Sequence, residues 1–415
     1  MTQRVVVVGG GPAGLLAAGH AAERGAQVLL IEKMPRLGIK LRMTGHGHGN
    51  MTHAGDAEQI VQHLGPNGPF LRPALSRFGP RELIAFFQTR DLASIIEPDG
   101  RVLPATRNAH TLVTALRGYC LEHGVTFRYR SQVDCIQTDR SDARRVCGVQ
   151  VGTTMIGATA VVLATGGLSY PATGSTGDGY EMVRRLGHTI VQPRAGLVAM
   201  VAADTWVPDL TGLSLADVTL YASQAGRDLA TRRGDILFTR DGLSGPAALN
   251  LSLDLAEAFE RGSVRLCIDL LPDTAAEILE ADIQREMQEH GSATCRSLLR
   301  GRAPRSLVPV LERMAGIPGA KKLAQVSAAE RRRIVACLKG LELRLLATRP
   351  ISEAMVTLGG VACDEVEPHS MASRIIPGLY LTGELLDVAG ETGGYNLQAA
   401  FTSGWVAGYY AAQQA

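Results

Sequence analysis

Three glycines close to the N-terminus, Gly9, Gly11 and Gly14, have the spacing that lets a protein backbone bind a pyrophosphate. In such a G-x-G-x-x-G turn, the first glycine allows a tight bend, and the second lets phosphates touch the backbone. The third lets the following helix pack closely on the preceding strand. Free N–H groups at the start of that helix favour a negatively charged ligand. The turn therefore suits a dinucleotide, and a merely glycine-rich turn is the alternative.

The residues around this turn predict the elements that must position it. Residues 4–8 are apolar and mostly β-branched, as in a buried parallel strand, and Pro12 suits the first turn of a helix. A second apolar run covers residues 27–31 and ends at Glu32, where dinucleotide-binding folds place an acid that binds ribose hydroxyls. This unit is typical of both NAD-binding and FAD-binding proteins and does not separate them.

A second strand end of interest follows residues 161–163, an apolar run that predicts a buried strand. The run leads into Thr165 and Gly166, and in two-dinucleotide-type flavoproteins an Ala-Thr-Gly turn of this kind lets the chain cross close to the flavin nucleotide. An ordinary exit from a strand into a loop is the alternative. Upstream, residues 126–130 and 146–156 predict strands of a small antiparallel layer.

A third strand end lies towards the C-terminus, where residues 379–382 predict a strand followed by Gly383 and Glu384. FAD-binding proteins use such a glycine–acid ending to hold the ribityl chain. A glycine-rich loop then leads into a helix predicted from residue 395 to about residue 410. The N-terminus of that helix would present N–H groups and a partial positive charge, which stabilise the anionic N1 and O2 region of reduced flavin.

The three strand ends together predict one long ligand, because FAD extends from adenine to isoalloxazine and needs all three, whereas NAD needs only the first. We expect FAD bound without a covalent link. The predicted fold class is α/β, with a Rossmann-like FAD-binding domain of the two-dinucleotide-binding flavoprotein type, interrupted by an inserted β-rich plus helical second domain. The FAD-binding domain is expected in residues 1–188 and 349–415, and the inserted substrate-type domain, with a helical subdomain, in residues 189–348.

Over nearly its whole length the chain resembles a bacterial NAD(P)/FAD-dependent oxidoreductase family, the BaiN/YhiN-type or aminoacetone oxidase-like family. The resemblance rests on the segments "GGGPAGLLAA", "ATGGLSYPATGSTGDGY", "GDILFTRDGLSGPAAL", "TRPISEAMVTLGGV" and "GLYLTGELLDVAGETGGYNLQAAFTSG". The last two are the most specific, because generic flavoproteins lack them. The resemblance implies a flavin redox enzyme, and one branch of the family is linked to the reduction of steroid-like bile-acid intermediates.

One segment, residues 38–53, departs from the family pattern, and we call it the histidine loop. The family usually reads close to G-R-K-x-x-x-T-G-G-G-R-C-N-x-T-N, whereas this chain has "GIKLRMTGHGHGNMTH". The matching positions include Lys40, Thr44, Gly45, Asn50 and Thr52. The arginine–cysteine pair of the family is His48 and Gly49 here, and His46 is also new. The resemblance implies that this loop passes over the flavin, and the roles of the missing arginine and cysteine do not carry over.

Hydride transfer belongs to the flavin, and the candidate catalytic acids or bases are His46, His48 and Tyr170. Imidazoles that point to solvent or to backbone, and a tyrosine that only packs, are the alternatives. The residues expected to bind FAD, from the turns and from the resemblance, are Gly9, Gly11, Pro12, Ala13, Gly14, Glu32, Lys33, Lys40, Thr44, Gly45, Asn50, Thr165, Gly166, Gly383, Glu384, Gly393, Gly394, Tyr395, Asn396 and Leu397.

The composition limits the expected partners. The chain has 42 Lys+Arg and 40 Asp+Glu, a net charge of +2, which argues against a large nucleic-acid footprint. The seven cysteines form no C-x-x-C pair, so neither a metal site nor a disulfide framework is expected, and a cytoplasmic location is favoured. No apolar run has the length of a membrane span. We therefore expect a small-molecule substrate, no nucleic acid, no membrane and no metal, and the oligomeric state stays open.

The leading interpretation is an FAD-dependent oxidoreductase that transfers hydride between bound flavin and a small or medium organic substrate. The sequence has no second G-x-G-x-x-G, so NAD(P)H, if it is the donor, visits the flavin transiently or shares the substrate site. Two alternatives stay open. A flavin-binding protein with a non-catalytic or regulatory role would fit the altered histidine loop, and an RNA-linked flavoprotein would fit the arginine-rich helices of the middle region.

Overall fold

The computed structural model describes residues 3–139 and 144–413, and the chain folds as two compact units. The first unit comprises Met1–Gly196 and Ile351–Ala415, and the second comprises Leu197–Pro350. Each unit has its own core of buried apolar side chains. No helix in these described parts combines the length and the apolar character that a membrane crossing requires.

The strands and helices are numbered in chain order across both units. Residues 3–196 contain β1 (Arg4–Val8), α1 (Pro12–Glu23), β2 (Gln27–Ile31), β3 (Thr52–His53), α2 (Ala57–Gln62), α3 (Arg72–Leu75), α4 (Pro80–Gln88), β4 (Ser94–Ile96), β5 (Arg101–Pro104), α5 (Ala109–Glu122), β6 (Thr126–Arg128), β7 (Cys135–Thr138), β8 (Val146–Val151), β9 (Thr154–Gly157), β10 (Ala160–Leu163), α6 (Asp178–Arg185) and β11 (Ile190–Gly196). The second unit contains β12 (Met200–Ala202), β13 (Ser214–Gln224), β14 (Arg227–Phe238), β15 (Gly242–Ser244), α7 (Pro246–Leu255), β16 (Val264–Asp269), α8 (Ala276–Glu289), α9 (Cys295–Arg300), α10 (Val308–Ala315), α11 (Ala328–Lys339) and β17 (Leu341–Thr348). The chain returns to the first unit with β18 (Val356–Val361), β19 (Leu379–Leu381) and α12 (Tyr395–Gln413).

The central sheet of the first unit is parallel, with the strand order β19-β10-β1-β2-β6. β10 is buried along its whole length, and β1 is buried after its first residue, which explains their continuous apolar runs. One prediction was wrong: β6 was expected in a small antiparallel layer, but it pairs with β2 in parallel. The reason is that α5 precedes β6, and a helical connection returns the chain in the same direction. The antiparallel layer consists of β7, β8 and β9.

The C-terminal helix α12 packs directly on α1 through residues without bulky side chains. A Cβ atom on Gly404 would lie 2.2 Å from the carbonyl oxygen of Ala13. A Cβ atom on Gly408 would lie 2.4 Å from the carbonyl oxygen of Ala17. The contact places the start of the chain beside its last helix, although nearly 400 residues separate them.

The second unit is built on a closed barrel with the strand order β12-β15-β14-β13-β16-β17. The antiparallel pairing of β12 with β17 closes the barrel with two strands that are far apart in the sequence. Helices α7 to α11 accompany the barrel, and many of their buried side chains belong to its core. The predicted β-rich and helical character of the insertion is confirmed, and its closure into a barrel was not predicted.

Candidate cofactor and active site

The carboxyl ends of the parallel strands bring the predicted turns to one edge of the sheet. β1 ends beside Gly9, β2 beside Glu32, β10 beside Thr165 and β19 beside Gly383. Backbone hydrogen bonds join neighbouring strand ends, as where the N–H of Gly9 donates to the carbonyl oxygen of Ile31 at 2.9 Å. Ligands of parallel α/β sheets lie outside this edge. The fold therefore gathers three separated segments of the chain around one place.

Two glycines of the first turn allow close backbone packing, and a third lies where the backbone is open to a ligand. Gly9 has φ +104°, and a Cβ atom there would lie 2.4 Å from the carbonyl oxygen of Ala164. A Cβ atom on Gly14 would lie 1.9 Å from the carbonyl oxygen of Gly9. Gly11 precedes Pro12 at the start of α1, and a Cβ atom on Gly11 would have no other protein atom within 4 Å. The open face of the turn is thus at Gly11, where a pyrophosphate is expected.

Glu32 and Lys33 are both engaged by neighbouring protein groups. The buried carboxylate of Glu32 accepts the N–H of Gly10 at 2.7 Å and the N–H of Met34 at 2.7 Å. Burial raises the pKa of this carboxyl group above its ordinary value. Lys33 forms an ion pair with Asp178 at 2.7 Å. Glu32 therefore fixes the first turn against the second strand, and ribose binding by Glu32 and a cofactor role of Lys33 stay predictions.

The carboxylate of Glu384 is the centre of a polar network at the third strand end. Lys40 donates to its Oε2 at 2.6 Å, and the hydroxyl of Ser169 donates to its Oε1 at 2.7 Å. The N–H of Thr357 also donates to Oε1, at 2.9 Å. Ser169 and Thr357 were missed by the sequence analysis, although both lie in the segments that carry the family resemblance. The network ties the histidine loop, through Lys40, to the ends of β10 and β19.

The glycine-rich loop before α12 is closed by Asn396. Its Oδ1 accepts the N–H of Gly390 at 2.8 Å, and its Nδ2 donates to the carbonyl oxygen of Gly390 at 2.8 Å. A Cβ atom on Gly394 would lie 2.5 Å from the carbonyl group of Thr52, so the loop packs directly on the histidine loop. Leu397 is half-buried. The side-chain amide of Asn396 thus holds the loop closed, and the closed loop fixes the N-terminus of α12.

An aromatic stack holds Tyr395, the first residue of α12. Its ring lies between the imidazoles of His53 and His63, with ring centroids 4.9 Å and 4.5 Å away and nearly parallel planes. His63 Nδ1 lies 2.9 Å from a carboxylate oxygen of Glu391, and His53 Nε2 lies 3.0 Å from the carbonyl oxygen of Asp99. Burial raises the pKa of Tyr395 to about 12, so its hydroxyl stays protonated at neutral pH.

The histidine loop has an unusual backbone and borders a cavity. Gly45 and His46 both have φ +55°, which is the left-handed region, and for His46 this conformation is strained. The imidazoles of His46 and His48 are exposed. A cavity of about 320 Å³ lies against them, and it is lined by Gly45, His46, His48, Asn50, Glu97, Arg101, Leu103 and Arg107. All of these residues belong to the first unit.

Unpaired polar atoms test whether the residues present fit FAD. Among the described residues, four buried side-chain polar atoms have no hydrogen-bond partner. Two of them belong to residues predicted to bind FAD, namely Oγ1 of Thr165 and Oδ1 of Asn50. Buried polar groups are costly when unpaired, so such atoms indicate a missing partner. Together with the open face at Gly11, they fit a polar cofactor that spans the strand ends.

We expect the change Thr165→Val to act in opposite directions on the apoprotein and on the complex with FAD. Without FAD, removal of the unpaired hydroxyl should raise the free energy of unfolding by about 1 kcal/mol. With FAD, loss of a hydrogen bond should weaken binding by roughly tenfold. Thermal unfolding and a flavin fluorescence titration measure the two effects.

Thr402→Val is the matched control, because the hydroxyl of Thr402 is buried and donates to the carbonyl oxygen of Phe78 at 2.7 Å. The same chemical change there should lower the stability of the apoprotein and leave FAD affinity unaltered. Equal behaviour of the two variants would contradict a cofactor role for Thr165.

Comparison with known sequences decides the family. The family model of the HI0933-like protein Rossmann domain matches residues 3–410. The chain belongs to this family. Its members are FAD-dependent oxidoreductases, so the predicted family, the fold class, the enzymatic nature and FAD as cofactor are confirmed.

Several relatives of the HI0933-like chain cover nearly its whole length. It is 30% identical over 400 residues to a ribosomal RNA dihydrouridine synthase of Escherichia coli (strain K12), with 96% of each chain covered. It is 29% identical over 420 residues to a 3-dehydro-bile acid delta(4,6)-reductase of Clostridium scindens, with 99% of each chain covered. Its fold is similar to that of 3-ketosteroid delta1-dehydrogenase from Sterolibacterium denitrificans, with a TM-score of 0.56, 14% identity and coverage of 99% and 100%.

The catalytic residues of this HI0933-like enzyme stay predictions. His46 and His48 lie together at the cavity, whereas Tyr170 is half-buried at the turn after Ser169, with φ +50°. A strained left-handed tyrosine is uncommon and is typical of functional sites. Within residues 3–139 and 144–413, no group of side chains has the composition of a metal site.

Proposed function

We propose that this enzyme uses NAD(P)H to reduce a carbon–carbon double bond conjugated to a carbonyl group, with the uracil base of ribosomal RNA as the first substrate class. The observation that carries the proposal is the chemistry shared by two relatives of full length. Formation of dihydrouridine saturates a double bond conjugated to a carbonyl. A 3-dehydro-bile acid with 4,6 double bonds presents the same arrangement of atoms.

The reaction balances with one donor and one proton. NAD(P)H loses a hydride and becomes NAD(P)⁺, the carbon distal to the carbonyl gains that hydride, and the adjacent carbon gains a proton. FAD, when bound, supplies the two-electron hydride chemistry. The chain orients it through the strand ends at Gly11, Thr165 and Glu384. The proton is assigned to Tyr170, the candidate acid outside the cavity of the histidine loop, which is half-buried directly after Ser169 in the network around Glu384.

The choice of RNA departs from the sequence-based expectation of no nucleic-acid partner. The net charge of +2 argues against an extended basic surface, but it does not bear on a local one. Arg101 and Arg107 both line the cavity beside the histidine loop, where an anionic substrate would be steered. A ribosomal RNA dihydrouridine synthase of Haemophilus influenzae is also 29% identical over 96% of this chain.

A small enone is the second candidate substrate, and the bile-acid reductase favours it, because that relative matches 99% of both chains. This candidate keeps the sequence-based expectation of a small or medium organic substrate. It requires no contact with phosphate, so it differs from the RNA candidate in salt dependence.

The proposal is tested with the purified FAD-bound enzyme under anaerobic conditions. NADH or NADPH is supplied with a ribosomal RNA transcript or with a 3-keto-4-ene steroid. We expect a gain of two hydrogens in uridine, measured by mass spectrometry of the digested RNA. Reduction of the steroid alone would favour the second candidate. Reduction of the flavin without either product would refute the proposed chemistry.

A further inference from the structure

We propose that the cavity beside the histidine loop binds a phosphoryl group, contributed by the RNA backbone or by the 2′-phosphate of NADPH. The inference deepens the proposed function and rests on it for the identity of the ligand. The site itself rests on the geometry of the first unit.

The histidine loop beside the cavity is held in place by its pairing with a β-hairpin. β3 pairs with β5 in antiparallel register, with Thr52 opposite Val102 and His53 opposite Arg101, and β4 pairs with the other side of β5. On the far side, the loop packs on α5, since a Cβ atom on Gly49 would lie 2.8 Å from Ala109. The loop is therefore fixed on two sides, and its exposed imidazoles remain at the cavity.

The two arginines that line the cavity are both held by carboxylates. Glu97 lies between Arg101 and Arg107, with N–O distances of 2.6 Å and 2.9 Å. The Glu97 side chain is only 15% exposed, whereas those of Arg101 and Arg107 are 43% and 51% exposed. Asp99 also pairs with Nε of Arg101, at 2.7 Å, and is not part of the lining. Arg101 is thus paired with two carboxylates and Arg107 with one, and both arginines line the cavity.

A guanidinium group carries five N–H donors in a planar fork, so these ion pairs leave further donors for a ligand. Arginine recognises phosphate through two parallel hydrogen bonds. His46 and His48 also line the cavity and add imidazole N–H donors. The pattern of two arginines and two histidines around one space suits the oxygens of a phosphoryl group.

The lining argues against the reacting ring of a steroid. Leu103 is the one large apolar side chain among the lining residues, whereas sites for apolar ligands are lined mainly by hydrophobic and aromatic side chains. A volume of about 320 Å³ holds a phosphate or pyrophosphate with its remaining water. The cavity is therefore an anchoring subsite, and it determines which donor or substrate is held.

The test uses the FAD-bound enzyme with Arg107→Gln and with the double change His46→Gln and His48→Gln. Arg72→Gln is the matched control, because Arg72 is exposed on the same unit and pairs with Glu58 outside the cavity. The first probe is inorganic pyrophosphate, and its binding to each variant is measured by calorimetry. We expect both cavity variants to bind pyrophosphate at least about tenfold more weakly than the wild type and the control. Equal binding by all variants would overturn the proposal, whatever the substrate proves to be.

Two further measurements identify the source of the phosphoryl group. Reduction of the flavin by NADPH and by NADH is followed without RNA; a raised KM for NADPH alone in the cavity variants assigns the site to the 2′-phosphate. If both donors are unaffected and RNA binds more weakly, with a salt slope reduced by about one, the site belongs to the RNA backbone. No change in either measurement would contradict a role for the cavity in the proposed reaction, even where pyrophosphate binds.

Discussion

Gly11→Ala is expected to give a folded protein that has lost most of its affinity for FAD. A Cβ atom at this position meets no protein atom within 4 Å, and the backbone at φ −81° and ψ −173° is open to any residue. The added methyl group should therefore leave the thermal midpoint nearly unchanged. It would occupy the space in which the pyrophosphate contacts the backbone, so affinity should fall by roughly 100-fold, about 2.7 kcal/mol. Thermal unfolding of the apoprotein and a flavin titration measure the two quantities.

Gly14→Ala is the control that separates packing from binding. Its Cβ atom would lie 1.9 Å from the carbonyl oxygen of Gly9, a backbone atom that has no room to move. We expect this variant to be insoluble or to melt far below the wild type, with or without FAD. A folded Gly11→Ala protein that binds FAD normally would contradict the placement of the pyrophosphate at this turn.

Features that depend on neighbours in the sequence were predicted well. β1 and β2 have the predicted bounds, residues 4–8 and 27–31, and α12 begins at residue 395 as expected. These elements follow from an apolar run, a glycine turn and a helix start, each of which is encoded within a few residues. The meeting of the strand ends also followed, because parallel strands present their carboxyl ends at one edge.

Features that depend on distant partners were not predicted. Lys40 and Glu384 are 344 positions apart, and nothing in the local sequence of either shows that they form an ion pair. The same holds for the stack of Tyr395 between two histidines, since rings that are 342 and 332 positions away in the sequence leave no local pattern. The cavity was missed for a further reason: Glu97 directly follows β4, Arg107 lies between β5 and α5, and charged residues in such short connections resemble an ordinary solvated turn.

The local turns and the distant contacts have different roles in the site. The local turns, at Gly11 and Thr165, build the part that any FAD protein requires. The distant contacts, through Lys40 and Tyr395, fix the histidine loop, where the sequence differs from the pattern that the family resemblance implies. Changes in the turns should therefore affect FAD binding, whereas changes in the loop should affect the substrate or the donor.

The loss of folding stability between pH 7 and pH 4 should depend strongly on His20. Its buried ring is stacked on Trp405; Nδ1 lies 2.8 Å from the carbonyl oxygen of Trp405, and Nε2 accepts from Arg24 at 3.3 Å. Burial lowers its pKa from 6.5 to about 4. Below pH 6.5 the imidazole of His20 binds a proton in the unfolded chain, whereas in the folded chain it stays neutral until about pH 4. The free energy of unfolding should therefore fall by about 3 kcal/mol between pH 7 and pH 4. Urea unfolding across this range measures it.

The comparison that isolates this contribution is between the wild type and His20→Gln. The buried His188, whose pKa is also lowered, acts in the same direction, whereas the raised pKa values of Glu32 and Asp387 act in the opposite direction as their carboxyl groups take up protons. These groups remain in the variant, so the difference in slope belongs to His20. His20→Gln should flatten the profile below pH 6.5, and a change at the exposed His110 should not. An unchanged slope in His20→Gln would show that the imidazole takes up its proton in the folded state as readily as in water.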